Sequence, residues 1–247
     1  MRLTVLGGSG AWPPAGGACS GYVLEADGFR LLVDPGYATL PRLLQHLAAD
    51  AIDAVLVSHG HPDHCADLNP LLRARAMQPD PPVALPVHAL PGSLRAVLAL
   101  DRPGMLDAAI DLREFEAGDR LRIGPFDVET VLLPHFLPNA GMRLTASGGS
   151  VVYTGDAGPS DALITLAEGA ALLLAEATFT GEVPADTRGL LSSARDAGAA
   201  AASARVGRLV LTHLDPNTNQ ETARAEASHA FAGQVDVAVP GLVVDVP

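Results

Sequence analysis

The sequence predicts a mixed α/β protein, and three observations predict it. Short apolar, β-branched runs such as Ala54–Ser58, Phe126–Leu133 and Arg208–Thr212 alternate with Ala- and Leu-rich segments of helical character such as Leu68–Met77 and Ser193–Val206. Four of the runs, ending at Ser58, Leu133, Tyr153 and Thr212, pass directly into loops that carry His or Asp. That placement lets a rigid strand hold a functional side chain while its loop varies. Hydrophobic residues make up 48% of the 247, enough for a sizeable core, but aromatics only 4%, so Ala, Val and Leu must fill it.

Taken in order, Leu3–Leu6 reads as a buried strand, followed by the glycine-rich turn Gly7-Gly8-Ser9-Gly10. The turn has neither the Lys-Ser/Thr of a P-loop nor the GxGxxG spacing of a dinucleotide fold. It is either a tight loop beside a site or one whose backbone N–H groups touch a ligand. Tyr22–Ala26 and Phe29–Val33 form a hairpin through Asp27-Gly28. Pro41–Ala49 is expected to be helical, with Leu43, Leu44 and Leu47 on one face and His46 as a surface or packing residue. Val83–Val87 is a short strand followed by His88, which reads as structural, and Ser93–Leu100 is a helix. Asp111–Phe115, Arg120–Ile123, Met142–Ala146, Ser150–Tyr153 and Ala171–Ala175 are strands. Thr218 and Glu221 have capping-box spacing for a helix to about Phe231. Val235–Val239 and Val243–Val246 close the chain. No linker or composition break appears, so residues 1–247 are expected to form one domain, without a visible internal repeat.

The chemistry concentrates in Ser58-His59-Gly60-His61-Pro62-Asp63-His64-Cys65, where three histidines and a carboxylate fall within six residues after an apolar strand. Imidazole nitrogens and carboxylate oxygens are ligands for Zn²⁺ and similar ions. Side-chain alternation sends His59 and His61 to one side, while Asp63 and His64 sit on the following turn. Two directions suit a pair of metal ions better than one tetrahedral ion. Cys65 reads as a small packing residue.

Bulk charge narrows the partners. The formal charge is −12, and all 16 basic residues are arginine. Two divalent ions would bring this to about −8, still acidic. Extended nucleic acid, which is met by basic surfaces, is therefore disfavoured, whereas a small anion held by metals is allowed. Cys19 and Cys65 make no disulfide framework. There is no signal-peptide pattern, and Glu168 and Glu176 interrupt the apolar stretch Ala162–Ala177, so no membrane span is expected. A soluble, cytoplasmic protein is the expectation.

His59, His61, Asp63 and His64, then His135, then Asp156 in a Gly-Asp context, then His213 after a strand resemble the metallo-β-lactamase superfamily in order and gaps along essentially the whole chain. The resemblance implies a four-layer αβ/βα sandwich of two mixed sheets with helices outside. It implies that His59, His61 and His135 hold one metal, that Asp63, His64 and His213 hold the other, and that Asp156 bridges them. Zn is the first choice, with Mn or Fe possible. A water activated between the ions would attack the substrate, with Asp63 orienting it. Asp34 resembles the acid that supports a ligand from behind, or is an ordinary Asp-Pro-Gly turn; Glu176 is implied as a second supporting carboxylate. Relatives are often homodimers.

Thr4-Val5-Leu6-Gly7, Thr154-Gly155-Asp156-Ala157-Gly158 and Glu176-Ala177-Thr178-Phe179 resemble the branch of RNase Z and small cyclic-nucleotide phosphodiesterases. His135 followed by Gly141-Met142-Arg143 is similar to that branch, so Arg143 is a substrate-binding candidate for a phosphate oxygen, or a salt bridge supporting the ligand loops. Oxygen-reducing diiron members carry Glu where this chain has His61, which favours hydrolysis. One departure matters: that branch has a further His after the Glu-Ala-Thr-Phe stretch, thought to protonate the leaving group, whereas here Leu190 occupies the place. The reading is a dinuclear hydrolase of a small phosphodiester. The alternatives are a carboxyl ester, thioester or lactone hydrolase, and a non-catalytic metal-binding or ligand-sensing protein.

Overall fold

Fourteen strands pair into two seven-stranded mixed sheets. The computed structural model describes all residues, 1–247. The first sheet holds β1 (Arg2–Gly7), β2 (Gly21–Ala26), β3 (Phe29–Val33), β4 (Ala54–Leu56), β5 (Leu85–Ala89) and β6 (Ile110–Glu114). The second holds β7 (Arg120–Ile123), β8 (Phe126–Leu133), β9 (Asn139–Ala146), β10 (Gly149–Tyr153), β11 (Leu172–Glu176), β12 (Arg208–Thr212) and β13 (Gln234–Val237). The last strand, β14 (Val243–Asp245), returns to the first sheet beside β1. Spatial orders are β14-β1-β2-β3-β4-β5-β6 and β13-β12-β11-β10-β9-β8-β7.

Each sheet runs through three antiparallel pairings and then three parallel ones. The two halves therefore repeat one topology that the residues themselves do not reveal. A repeat of pairing pattern needs only matching hydrophobic period and turn positions, not matching side chains.

Helices cover the outer faces: α1 (Thr39–Leu43), α2 (Pro62–Cys65), α3 (Leu68–Ala76) and α4 (Arg95–Leu98) in the first half, then α5 (Asp161–Ala167), α6 (Ala194–Ser203) and α7 (Gln220–Ser228). Three apolar clusters follow from alternation along the strands. One lies between the sheets, where Leu3, Leu24, Leu31 and Leu56 meet Phe126, Met142, Leu144 and Val210. A second joins α5, α6 and α7 to the second sheet, and a third joins α3 and its neighbours to the first. This is the expected four-layer sandwich. Small residues let it close with few aromatics: a Cβ on Gly198 of α6 would collide with the Ala227 carbonyl of α7. No helix is long and apolar enough to cross a membrane.

Local differences have local causes. The expected helix Pro41–Ala49 is regular only over Thr39–Leu43, and Leu44 is exposed rather than on a buried face. The α7 cap is Asn219, whose side chain accepts from Thr222 N, not Thr218, whose N–H turns back to Asp215. Helix α5 was not anticipated, although Ser160 caps it at Leu163 N; its seven residues are too few to set up a clear period. Val83 lies outside β5 and is largely exposed. The Asp27-Gly28 hairpin forms as expected, both residues having positive φ, as a type I′ turn requires.

Candidate metal centre

The site lies where the strand ends of both sheets meet. His59 follows β4, His135 sits in the loop joining β8 to β9, Asp156 follows β10 and His213 follows β12. Two hydrogen bonds stitch the halves there: Ala140 N donates to the Ser58 carbonyl, and Leu214 N to the Gly8 carbonyl. Asp34, His213 and Ala11 all adopt left-handed φ, at +48°, +54° and +57°. Non-glycine residues in that region cost energy and concentrate at functional sites.

Seven side chains converge in two groups. His59, His61, His135 and Asp156 form one, and Asp63, His64, Asp156 and His213 the other; within each, the ligand atoms lie within 4.8 Å of one another. Asp156 belongs to both. In the first group His61 Nδ1 is 3.0 Å from His59 Nε2 and 3.1 Å from His135 Nε2. A tetrahedral ion with metal–nitrogen bonds of about 2.0–2.1 Å separates its nitrogens by about 3.3 Å. In the second group Asp63 Oδ2 is 3.1 Å from His213 Nε2, and Asp156 Oδ1 is 3.1 Å from His64 Nε2.

Hydrogen bonds behind the ring fix which nitrogen faces inward for four of the five imidazoles. His64 Nδ1–H donates to Asp34 Oδ2 at 2.8 Å. His59 Nδ1–H donates to Ser58 Oγ at 3.0 Å, whose hydroxyl donates to Asp34 Oδ2 at 2.6 Å. His135 Nδ1–H donates to the Leu190 carbonyl at 3.2 Å. His213 Nδ1–H donates to Thr178 Oγ1 at 3.0 Å, and Thr178 donates to Glu176 Oε1. These proton assignments follow from the network. They turn four Nε2 atoms toward one another and toward the Asp63 and Asp156 carboxylates, with His213 Nε2 3.1 Å from Asp63 Oδ2. His64 Nε2 and Asp156 Oδ1 are buried without a hydrogen-bond partner. Backing each metal-binding His with a carboxylate or carbonyl is the usual arrangement around a metal, and the donor set fits a pair of divalent cations.

The electrostatics agree. Burial pushes His59, His61 and His135 below the ordinary 6.5, keeping them neutral. Burial also disfavours charge on His64, but Asp156 and Asp34 outweigh it and raise His64 well above 6.5. Burial works against ionisation of Asp63 and Asp156 too, yet His213 and His64 hold both below the ordinary carboxylate value. Buried carboxylates that stay ionised call for positive charge at their centre. Glu176 differs: burial and then Asp156 push it well above the usual range, against the pull of the Ser192 N–H and Thr178 donors.

Asp34 is the organiser behind the ligands. It accepts from Ser58 N (2.7 Å), Ser58 Oγ, His64 Nδ1 and Tyr153 Oη (2.7 Å), and is fully buried. It is thus more than a turn residue. Glu176 accepts from Ser192 N and Thr178. The glycine-rich loop does reach the site, though it touches a protein side chain: Ala11 N donates to Asp63 Oδ2 at 2.8 Å. Gly36 is required beside it, because a Cβ there would run into the Asp63 carbonyl.

Arg143 is not brought to the site. Its guanidinium donates to the Leu166 and Glu168 carbonyls, both at 2.9 Å, and to Ser150 Oγ. Alternation explains this: Met142 and Leu144 point between the sheets, so Arg143 faces the helix layer and closes the end of α5. The guanidinium makes no salt bridge to the ligand loops. Conversely, Ser58, Tyr153, Thr178 and Asn139 were not singled out as site residues. Asn139 Nδ2 donates to the Thr154 and Asp156 carbonyls and holds the Asp156 loop. Their signal was adjacency, since each lies next to or within a motif that carries a ligand or supporting acid.

A sandwich of two mixed sheets with paired His/Asp clusters at one rim of strand ends defines the class. Residues 29–214 match the beta-lactamase superfamily domain, and the chain belongs to that superfamily. It is similar to "Probable metallo-hydrolase YhfI" of Bacillus subtilis, 31% identical over 246 residues that cover 98% of this chain and 99% of that protein. The crystal structure of the Bacillus subtilis metallo-beta-lactamase fold protein YhfI superposes with a TM-score of 0.90, 32% identity and 99% coverage of both chains. A ribonuclease Z of Mycolicibacterium paratuberculosis is 32% identical over 272 residues, covering 96% of this chain and 95% of that protein.

Proposed function

We propose that the protein is a dinuclear metal-dependent hydrolase of small phosphodiesters, with a cyclic-nucleotide-like substrate as first choice. His59, His61 and His135 hold one ion, Asp63, His64 and His213 the other, and Asp156 both. The nitrogen-rich set suits Zn²⁺, and Mn²⁺ or Fe²⁺ accept the same donors. The observation that carries the reading is the convergence of five imidazoles, four of them fixed from behind, on a carboxylate shared by both groups. When bound, two divalent ions supply a water-derived nucleophile at neutral pH and stabilise charge developing on the substrate.

The chain's own residues set the geometry. Asp34, Thr178 and the Leu190 carbonyl lock His64, His213 and His135 in one tautomer, so no reorganisation is needed at the moment of reaction. Ala11 N–H fixes Asp63 Oδ2, so the Asp63 carboxylate is held where it would orient a water for attack. Hydrolysis would form a bond from the water oxygen to phosphorus as the bond to the leaving oxygen breaks; the water's proton is released to solvent, and the leaving oxygen takes one from solvent, because by the resemblance Leu190 occupies the place of an acid. Resemblance of Thr154–Gly158 and Glu176–Phe179 to the phosphodiesterase branch supports phosphorus over carbon as the electrophile, as does similarity to a protein named ribonuclease Z. The charge of −12 with no lysine supports a small substrate over an extended polyanion.

The test is metal-reconstituted protein assayed on bis-p-nitrophenyl phosphate, 2′,3′- and 3′,5′-cyclic nucleotides, a lactone and a thioester. Metal-dependent turnover of the phosphodiesters is expected. Turnover of the lactone or thioester alone would overturn the reading.

A further inference from the structure

The chain has ten aromatic residues, and three are exposed: Trp12 (48%), Tyr37 (39%) and Phe136 (52%). All three adjoin residues that build the metal centre. Trp12 follows Ala11, whose N–H holds Asp63, and lies two residues from Gly10, which packs against the His213 ring. Tyr37 follows Gly36, which abuts the Asp63 carbonyl. Phe136 follows His135, and its ring centroid is 5.2 Å from that imidazole. A protein that spends its few aromatics in the core has no folding reason to leave these in water. Exposed apolar groups gathered beside polar convergent groups mark a ligand site.

The two best-placed aromatics adjoin different groups of the centre. Phe136 is attached to the group of His59, His61 and His135, and Trp12 to the group of Asp63, His64 and His213. The backbone at Trp12 is also held. Ala11 is fixed in a left-handed turn, Trp12 N donates to the Gly10 carbonyl at 2.6 Å, and Pro13-Pro14 follow. The backbone that presents the ring therefore has little freedom left to lose on binding, which favours affinity. A flat ring gains most from such a surface, and every nucleobase offers a π-face.

We propose that Trp12 and Phe136 are the two walls of the substrate mouth, and that a nucleobase attached to the scissile phosphodiester stacks on Trp12. The proposal rests on the phosphodiesterase reading above and adds to it the residues that favour a base-bearing substrate over a base-free one. Trp12 is the sole tryptophan, so its fluorescence reports stacking without ambiguity.

Two arms test it. In the first, metal-loaded protein is titrated with adenosine 5′-monophosphate and, separately, with ribose 5-phosphate. Saturable quenching by the nucleotide and none by the sugar phosphate is expected; equal responses, or none to the nucleotide, would overturn the proposal. Quenching that depends on protein concentration without nucleotide would place a second copy of the chain on Trp12 and overturn it as well.

In the second arm, kinetics compare adenosine 2′,3′-cyclic phosphate with the base-free glycerol 1,2-cyclic phosphate. Trp12→Ala is expected to raise KM for the adenosine substrate about 5- to 100-fold more than for the glycerol one, with kcat moved far less. Phe136→Ala should act in the same direction, and Trp12→Phe should restore most of the loss. Parallel changes on both substrates would refute the assignment. If wild-type protein hydrolyses no phosphodiester, the functional reading fails, and the fluorescence arm still decides whether a base stacks on Trp12.

Discussion

Asp34→Asn keeps the size and shape of the side chain that stands behind both groups of ligands, and changes only its charge and one acceptor. Asp34 Oδ2 accepts three donors, from Ser58 Oγ, His64 Nδ1 and Tyr153 Oη, while Oδ1 accepts one, from Ser58 N. An asparagine does best with its oxygen at the three-donor position, which sets its NH₂ against the Ser58 N–H. One charge-assisted bond is lost in a fully buried place and two donors face each other. That costs about 1.5–3 kcal/mol, or about 3–6 °C in the melting temperature of a chain this long. His64 also loses the carboxylate that makes it a strong donor, so metal affinity should fall about 10- to 100-fold. The loss should be larger at the Asp63–His64–His213 group than at the other, because His59 is reached only through Ser58. Competition with a chromophoric chelator reads the two affinities, and thermal unfolding of the metal-free protein reads the rest. Unchanged affinity together with an unchanged melting temperature would refute the role given to Asp34.

Three further outcomes are expected. Thr178→Val removes the hydroxyl between His213 and Glu176; metal affinity of the His213 group should drop about 10-fold, seen by the same competition, while the His135 group is unaffected. The metal-free protein should lose stability as pH falls through 6.5, because His59, His61 and His135 stay neutral when folded and take up protons when unfolded. His64 acts in the opposite sense, its contribution being present below 6.5 and lost as pH rises through its raised pKa; urea titrations at pH 5, 6 and 7 check this, and flat stability would contradict it. Leu190→His should raise turnover of alkyl phosphodiesters, up to about 100-fold, more than turnover of p-nitrophenyl esters, whose leaving group needs no acid; equal effects on both would count against a missing leaving-group acid.

Much of the site was legible in the chain because ligands sit at strand ends, and strand ends follow from hydrophobic runs. His59, His61, Asp63 and His64 announce themselves by density, and His135, Asp156 and His213 by following β8, β10 and β12. What was not legible lies in relations between distant segments. That Tyr153 and Ser58 meet on Asp34 depends on two sheets facing each other. Arg143 illustrates the reverse: its motif suggested the site, but the alternation of β9 sends it outward to Leu166 and Glu168. The repeated pairing pattern of the two sheets was equally hidden, since it resides in strand direction rather than in residue identity. Short elements misled most, as in the stretch Pro41–Ala49, where one buried leucine and one exposed leucine share an apparent apolar face.

The central claim is that seven side chains form two metal sites sharing Asp156. Native mass spectrometry of the zinc-reconstituted chain tests it most directly, counting ions without relying on activity. The account predicts two zinc ions per chain for wild type, and loss of ions from both groups in Asp156→Ala. One ion or none at saturating zinc in the folded wild-type chain would contradict it.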